Sequence, residues 1–321
     1  MKQAGVQLRV WDADELEQEI RGFRPRLDHT DMETQTLQLE DITAGIQGVR
    51  CGIIDADRVV KFYEEQFRKI GGEIVYSLPV EKVLVEPRKG LGIDCEPFDW
   101  QEKVITGVKT PCGEIRARKT VIAPGAWGRE LLDPIGVDCH MNPIRKMIFV
   151  LRGPKVEPLF HTQGFNEDSI LPLTVLPKGG VYLRPVLGEE AFYTSMTEGI
   201  GHPFAKSENP YADENFYVYN VNPVLSTYFP EIRGLKPSNM WAGRQDWSST
   251  DKNPYIFETA NAVIALGTSG NGIMKADAIG RVAAALTRRQ EVAELFGGLK
   301  FDVKKLGIKK RVVEPETFAL E

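Results

Sequence analysis

The 321-residue chain lacks most of the features that would assign a function directly. Its four cysteines (Cys51, Cys95, Cys112 and Cys139) lie far apart, with no C-x-x-C pair and no neighbouring histidine pair. That excludes the usual zinc spacing, and a chain this long needs no disulfide framework to hold a core. Cys95 and Cys112 sit in polar, strand-flanking segments, and reduced thiols in a cytoplasmic protein are the plain reading. The four histidines, His29, His140, His161 and His202, are scattered, and none falls in a triad or a metal-ligand pair. No G-x-G-x-x-G follows an N-terminal strand, and G-x-x-x-x-G-K-[ST], G-x-S-x-G and H-E-x-x-H are absent as well. No apolar run approaches the ~18 residues that a membrane helix needs, and Met1-Lys2-Gln3-Ala4-Gly5 does not lead into the apolar core of a secretory signal. A formal net charge of −5 leaves no basic footprint for nucleic acid.

What is present is the balance of a globular protein, 42% hydrophobic and 26% charged, with no internal repeat. Ala4 to Trp11 reads as a helix end, a Gly turn and a short strand, and Asp12 to Ile20 as a helix with its acidic residues early. Asp55 can cap a helix from about Ala56 to Ile70, whose Val59, Val60, Tyr63, Phe67 and Ile70 follow the 3.6 period. Gly71-Gly72 ends it, Glu73-Ile74-Val75-Tyr76 begins a strand, and Val80 to Val85 forms a second. Ile105–Val108 and Ile115–Ala117 flank a hairpin turn at Thr110-Pro111-Cys112-Gly113. Lys119 to Ala126 reads as a buried strand running into a Gly turn.

From Met147 to about Met196 the strand-like runs Ile148–Leu151, Val181–Arg184 and Ala191–Tyr193 are separated by Pro and Gly turns. These predict an antiparallel sheet in a second, α+β domain. Asp213 to Phe229 reads as a helix interrupted near Asn222-Pro223. Val263 to Gly267 is a further buried strand, entering the turn Thr268-Ser269-Gly270-Asn271-Gly272 before a helix from Ala276 to Leu286. The two halves therefore interleave, and the Lys- and Arg-rich tail after Phe301 reads as a surface extension.

Two segments carry chemistry. The strand, Gly-rich turn and helix from Val263 to Met274 bring backbone N–H groups close to a ligand and aim a helix dipole at it, and the same pattern also serves as a tight turn with no ligand. Val121 to Trp127 ends a strand in small residues and an indole, which either packs on a flat ring or fills the core. No acid–base set is visible, so the catalytic residues are unknown.

In order along the chain, these segments resemble the family of D-amino-acid oxidase, glycine oxidase, sarcosine oxidase and dimethylglycine dehydrogenase. Gly52-Ile53-Ile54-Asp55, its helix and Gly71-Gly72-Glu73-Ile74 resemble the family's G-x-x-D-P segment, with Ala56 in place of proline. Val121 to Trp127 resembles V-[IV]-x-A-G-A-W, with Pro124 where alanine is common. Trp241-Ala242-Gly243, with Asp251 and Pro254 downstream, resembles W-A-G-x-R-P-x-T-P-D-x-x-P. Gly267 to Gly280 resembles G-x-S-G-H-G-[IM]-x-x-[AS]-[PS]-x-x-G. The similarity runs from about residue 5 to 286.

The resemblance implies a fold of α/β plus α+β type: a partial FAD-binding, doubly wound (Rossmann-like) domain interleaved with an antiparallel-sheet substrate domain. Its segments are 1–50 (connecting and substrate-domain), 51–135 (FAD-binding), 136–240 (substrate domain), 241–290 (return to the FAD-binding domain) and 291–321 (C-terminal extension). FAD is the implied cofactor, held by Val80, Ala123, Pro124, Gly125, Trp127, Gly267, Ser269, Gly270, Asn271, Gly272, Ile273 and Met274. The implied substrate is a small amine or amino acid of the N-methyl amino acid, proline or D-amino-acid type, oxidised by hydride transfer to flavin. Positioning then carries much of the catalysis. Candidates for the substrate's carboxylate are Arg184 with Tyr182, Arg244 and Lys275, since the guanidinium fork suits a carboxylate.

Three departures stand against this. The family's G-x-G-x-x-G unit, which holds the FAD pyrophosphate, is lacking, so that site falls to a missing N-terminal segment or a partner subunit. Asn271 replaces a histidine beside the flavin and carries no charge. Gln245 and Asp246 stand where many relatives have Arg-Pro, and Asp246-Trp247 is similar to a branch of mitochondrial FAD-oxidoreductase-domain proteins. The alternative reading is a non-catalytic or assembly-type protein that retains the fold and binds FAD weakly or not at all.

Overall fold

The computed structural model describes residues 5–197, 204 and 207–315. The helix end expected at Ala4 lies outside them. The chain forms two units: Met1–Asp55, Lys146–His202 and Asn209–Gly243 make the first, and Ala56–Arg145, Pro203–Glu208 and Arg244–Glu321 the second. Residues 51–55, 136–145, 203–208 and 241–243 thus fall on the other side of the expected divisions, and 291–321 is grouped with the second unit.

The first unit is organised by an antiparallel sheet. Within the five-stranded order Asn239–Ser248, Met141–Leu151, Ala191–Ser195, Tyr182–Val186 and Thr174–Val175, Tyr193 pairs with Val150 on one side and Arg184 on the other. Its inward residues Phe149, Leu151, Phe192 and Leu183 are fully buried. They join a core with Trp11, Leu16, Tyr217 and Tyr228. The N-terminal strand Leu8–Asp12 pairs with Ala44–Gly48. Asp12 then caps the helix Ala13–Glu19 through a reciprocal bond with Glu15, satisfying N–H groups that a helix start leaves open. The expected break before Asn222-Pro223 is a widening instead. Glu214–Phe216 and Asn222–Tyr228 are α-helical, and Tyr217–Val221 between them is a π turn. Pro223 has no N–H to give residue 219 and its ring crowds that carbonyl, so the helix expands by a residue there.

In the second unit the hairpin Tyr255–Thr259/Ala262–Leu266 is extended by the parallel strand Thr120–Ile122. Ala260 and Asn261, both at positive φ, close the hairpin in the two-residue loop that matches strand twist. A meander of Lys82–Pro87, Lys103–Thr110 and Gly113–Arg116 packs beside it, and the helix Gly272–Thr287 follows the last strand. Val121 is 49% exposed, so the strand expected to be buried covers only one side.

Two expectations are corrected here. Glu73-Ile74-Val75-Tyr76 is not a strand. No described strand lies alongside to take its N–H and C=O groups, and Val75 and Tyr76 are exposed. The preceding helix Ala56–Lys69 is present as expected but buries no residue. The tail, in turn, is more than a surface extension. Val292–Glu294 and Lys300–Asp302 pair as a hairpin. Ala293 and Val303 are buried with Val263 and Val282 in a core of their own.

Candidate cofactor and substrate sites

The Gly-rich turn is built from three left-handed residues, Gly267 (φ 76°), Ser269 (φ 50°) and Gly270 (φ 82°). For glycine this conformation is free, whereas for Ser269 it costs about 1–2 kcal/mol. The turn is held by a residue from outside it. Asp246, on Asn239–Ser248, accepts the N–H of Gly267 (2.8 Å), the N–H of Thr268 (2.9 Å) and the Oγ1–H of Thr268 (2.7 Å). The Asp246 carbonyl takes the Ser269 N–H (2.9 Å). Ser269 Oγ, fully buried, accepts the Ser248 N–H (2.8 Å). Asn271 stands just before the helix, 2% exposed, and its Oδ1 has no hydrogen-bond partner. Of the predicted turn residues, Gly267, Ser269 and Asn271 are buried, Gly270, Gly272 and Ile273 partly so, and Met274 is 59% exposed.

A second feature of this unit is an open cleft of about 480 Å³ that brings together Val80, Ala123, Pro124 and Trp127, with Val121 and Glu130. Its lining is largely apolar and small, as a flat ring system requires. Gly125, at φ 57°, turns the chain beside it and faces open space where a Cβ would stand. The Gly267–Met274 residues are not in this lining, so the predicted cofactor residues form two groups. Both fit parts of FAD. The cleft offers apolar walls, and the turn offers an orphaned buried acceptor where a ligand's N–H or O–H would satisfy Asn271.

The four substrate candidates fare differently. Arg244 is committed: its side chain is 4% exposed and pairs with Glu130 (2.6 Å) and Glu208 (3.3 Å). Its guanidinium also lies 4.9 Å from the Trp127 ring centroid, and Trp127 Nε1–H donates to Glu208 (3.1 Å). Lys275 is within 3.4 Å of Asn253 Oδ1. Arg184 and Tyr182, in the first unit, are two residues apart on one strand and so share a sheet face. Arg184 lies 5.8 Å from the Tyr193 ring centroid, and it makes no ion pair among the described residues. Burial pushes the Tyr182 phenol well above its ordinary range, partly offset by the Arg184 charge. Tyr182 is therefore a neutral donor beside an uncommitted guanidinium. Among the described residues no cluster of His, Cys, Asp and Glu could hold a metal, and no helix is long and apolar enough to cross a membrane.

Ser248, which donates its N–H to Ser269 in the turn, and Arg311, which pairs with Asp251, carry no motif of their own. Asp246 was visible only as a departure from a pattern.

The profile of the family described as FAD dependent oxidoreductase (DAO) matches residues 2–286. A glycine oxidase of Pseudomonas aeruginosa is 27% identical over 190 residues, covering 58% of this chain and 46% of its own length. The FAD-dependent oxidoreductase domain-containing protein 1 of Bos taurus is 29% identical over 180 residues, covering 52% of this chain and 35% of its own. The chain thus matches less than half the length of these curated relatives. Among solved structures, an L-proline dehydrogenase from P. horikoshii aligns with a TM-score of 0.67 at 20% identity, over 95% of this chain and 69% of that one.

Proposed function

The chain belongs to the FAD-dependent oxidoreductase family, and on that premise we propose that it takes part in oxidising a small amine or amino acid of the N-methyl amino acid, proline or D-amino-acid type. The observation that carries the reading is the cleft in which Val80, Ala123, Pro124 and Trp127 meet. FAD, when bound, supplies the two-electron acceptor for the C–H bond next to the amine, and water then hydrolyses the imine. The chain's own part is placement. The cleft walls and the Gly267–Met274 turn hold the cofactor, with Asn271 Oδ1 taking a hydrogen bond from it. Arg184 holds the substrate carboxylate by two parallel hydrogen bonds, and the neutral Tyr182 donates a third. Arg244 instead fixes Trp127 and Glu130 in the cleft wall, which its two carboxylate partners support.

The pyrophosphate site comes from a further segment or a partner subunit. Two observations support this. Thr120–Ile122 pairs in parallel and leaves Val121 49% exposed, whereas parallel strands are ordinarily covered on both faces. The helix Ala56–Lys69 leaves Val60, Tyr63 and Phe67 about half exposed, and covering each would stabilise by on the order of 1 kcal/mol.

Equilibrium dialysis of FAD against the native assembly checks the cofactor assignment. One FAD per chain is expected, with affinity at least about tenfold weaker in Ala123→Trp, whose indole fills the cleft. Stoichiometric FAD binding that ignores this substitution would place the cofactor elsewhere.

A further inference from the structure

Residues 287–321 lie outside the family match, yet Arg311 among them is linked through Asp251 and Ser248 to the Gly267–Gly272 turn. We infer that the C-terminal segment around Arg311 is a strap that positions the Gly267–Gly272 turn, with Arg311 as a positioning residue for the cofactor site. The inference rests on the proposed function only for the identity of the ligand.

Arg311 uses all five of its N–H donors. Nε and Nη2 bond the two Asp251 oxygens at 2.6 and 2.7 Å. The remaining three go to the carbonyls of Pro254 (3.1 Å), Leu306 (3.1 Å) and Asn253 (3.0 Å). Its guanidinium lies 3.6 Å from the Tyr255 ring centroid, and Tyr255 stacks on His140 at 5.0 Å. A lysine offers three donors from one point and can reproduce neither the fork nor the stack.

From there a relay leads to the turn. Asp251 Oδ1 accepts from Ser248 Oγ (3.4 Å), and the Ser248 N–H is bound by Ser269 Oγ inside the turn (2.8 Å). Ser269 is the residue held in a costly left-handed conformation. Burial works against the charge on Asp251, but Arg311 and the Asn253 N–H outweigh it and keep the carboxylate below its ordinary range. A second tie runs on the other flank. Asn253 Nδ2 donates to the Glu314 carbonyl (2.9 Å), and Asn253 Oδ1 meets Lys275 on the helix after the turn (3.4 Å). The tail thus ties the 251–254 loop, which in turn meets Ser248 at the end of the neighbouring strand and Lys275 on the helix after the turn.

Amide hydrogen exchange on the full chain without FAD tests the strap directly. In Arg311→Ala, exchange at Gly267–Gly272 should quicken by about tenfold or more while the buried Ala191–Ser195 strand keeps its protection. Millimolar guanidinium should restore the turn by filling the vacated slot, and Arg311→Lys should not. Ser269→Ala provides the second variant, cutting the relay at its far end. It should loosen the turn and leave residues 304–314 as protected as before. Turn exchange that is unchanged in both variants, or lost only together with protection everywhere, would overturn the strap. FAD affinity measured on the same variants separates the two claims: a loosened turn with unaltered FAD binding keeps the strap and removes the turn from the cofactor site.

Discussion

The Asp246 carboxylate takes both hydrogens that Thr268 has to give, the backbone N–H at 2.9 Å and the Oγ1–H at 2.7 Å, and the Gly267 N–H besides. One carboxylate therefore closes the start of a turn whose backbone is bent against its preference at Ser269. Asp246→Asn keeps one oxygen for the two N–H groups and turns its NH₂ to Thr268 Oγ1, which then accepts instead of donating. The expected cost is about 1–2 kcal/mol, because hydrogen bonds to a charged group are exchanged for weaker neutral ones. Urea unfolding measures it, and a loss below about 0.5 kcal/mol would show that the turn holds its shape without Asp246.

Arg184 and Arg244 separate in the same way under kinetics. Arg184→Gln should lower kcat/KM for a carboxylate-bearing substrate by about 10- to 100-fold, the worth of one or two charge-assisted bonds. A substrate analogue lacking the carboxylate should be unaffected. Arg244→Gln should reduce stability through Glu130 and Trp127 while leaving substrate KM within about twofold. Steady-state kinetics on the two variants decides between them, and the reverse pattern would move the carboxylate site to Arg244.

Three tyrosines should make stability fall at alkaline pH. Burial pushes the phenols of Tyr217 and Tyr228 up to about 12, and Tyr182 also stands above its ordinary range. In the unfolded chain each ionises near 10. Between those values the folded protein binds more protons than the unfolded one, so stability is whole below about pH 10 and falls as pH rises towards 12. Urea midpoints at pH 8, 10 and 11 should be level and then drop. A midpoint that holds through pH 11 would mean that these hydroxyls ionise at little cost in the fold.

The sequence was most legible where one segment decides its own structure. The helix Ala56–Lys69 follows from its period and Gly71-Gly72, and the strand Ala262–Leu266 from an apolar run ending at Gly267. Residues 73–76 show the limit: a strand needs a neighbour, and local preference does not supply one. The same holds for the site. Val80, Ala123, Pro124 and Trp127 were found through resemblance and then met in one cleft. Arg244 is a carboxylate-ligand candidate in the sequence, and in the fold Glu130 and Glu208 hold it. Arg311 was one cation in a basic tail, because its partner Asp251 lies sixty positions away in the chain.

The most direct measurement is anaerobic mixing of the FAD-loaded protein with glycine, sarcosine, L-proline and D-alanine, followed by the flavin's visible absorbance. The account expects at least one of them to bleach the flavin fully and to yield one equivalent of imine-derived product per FAD. A stoichiometrically loaded protein that stays oxidised with every member of the panel would contradict it.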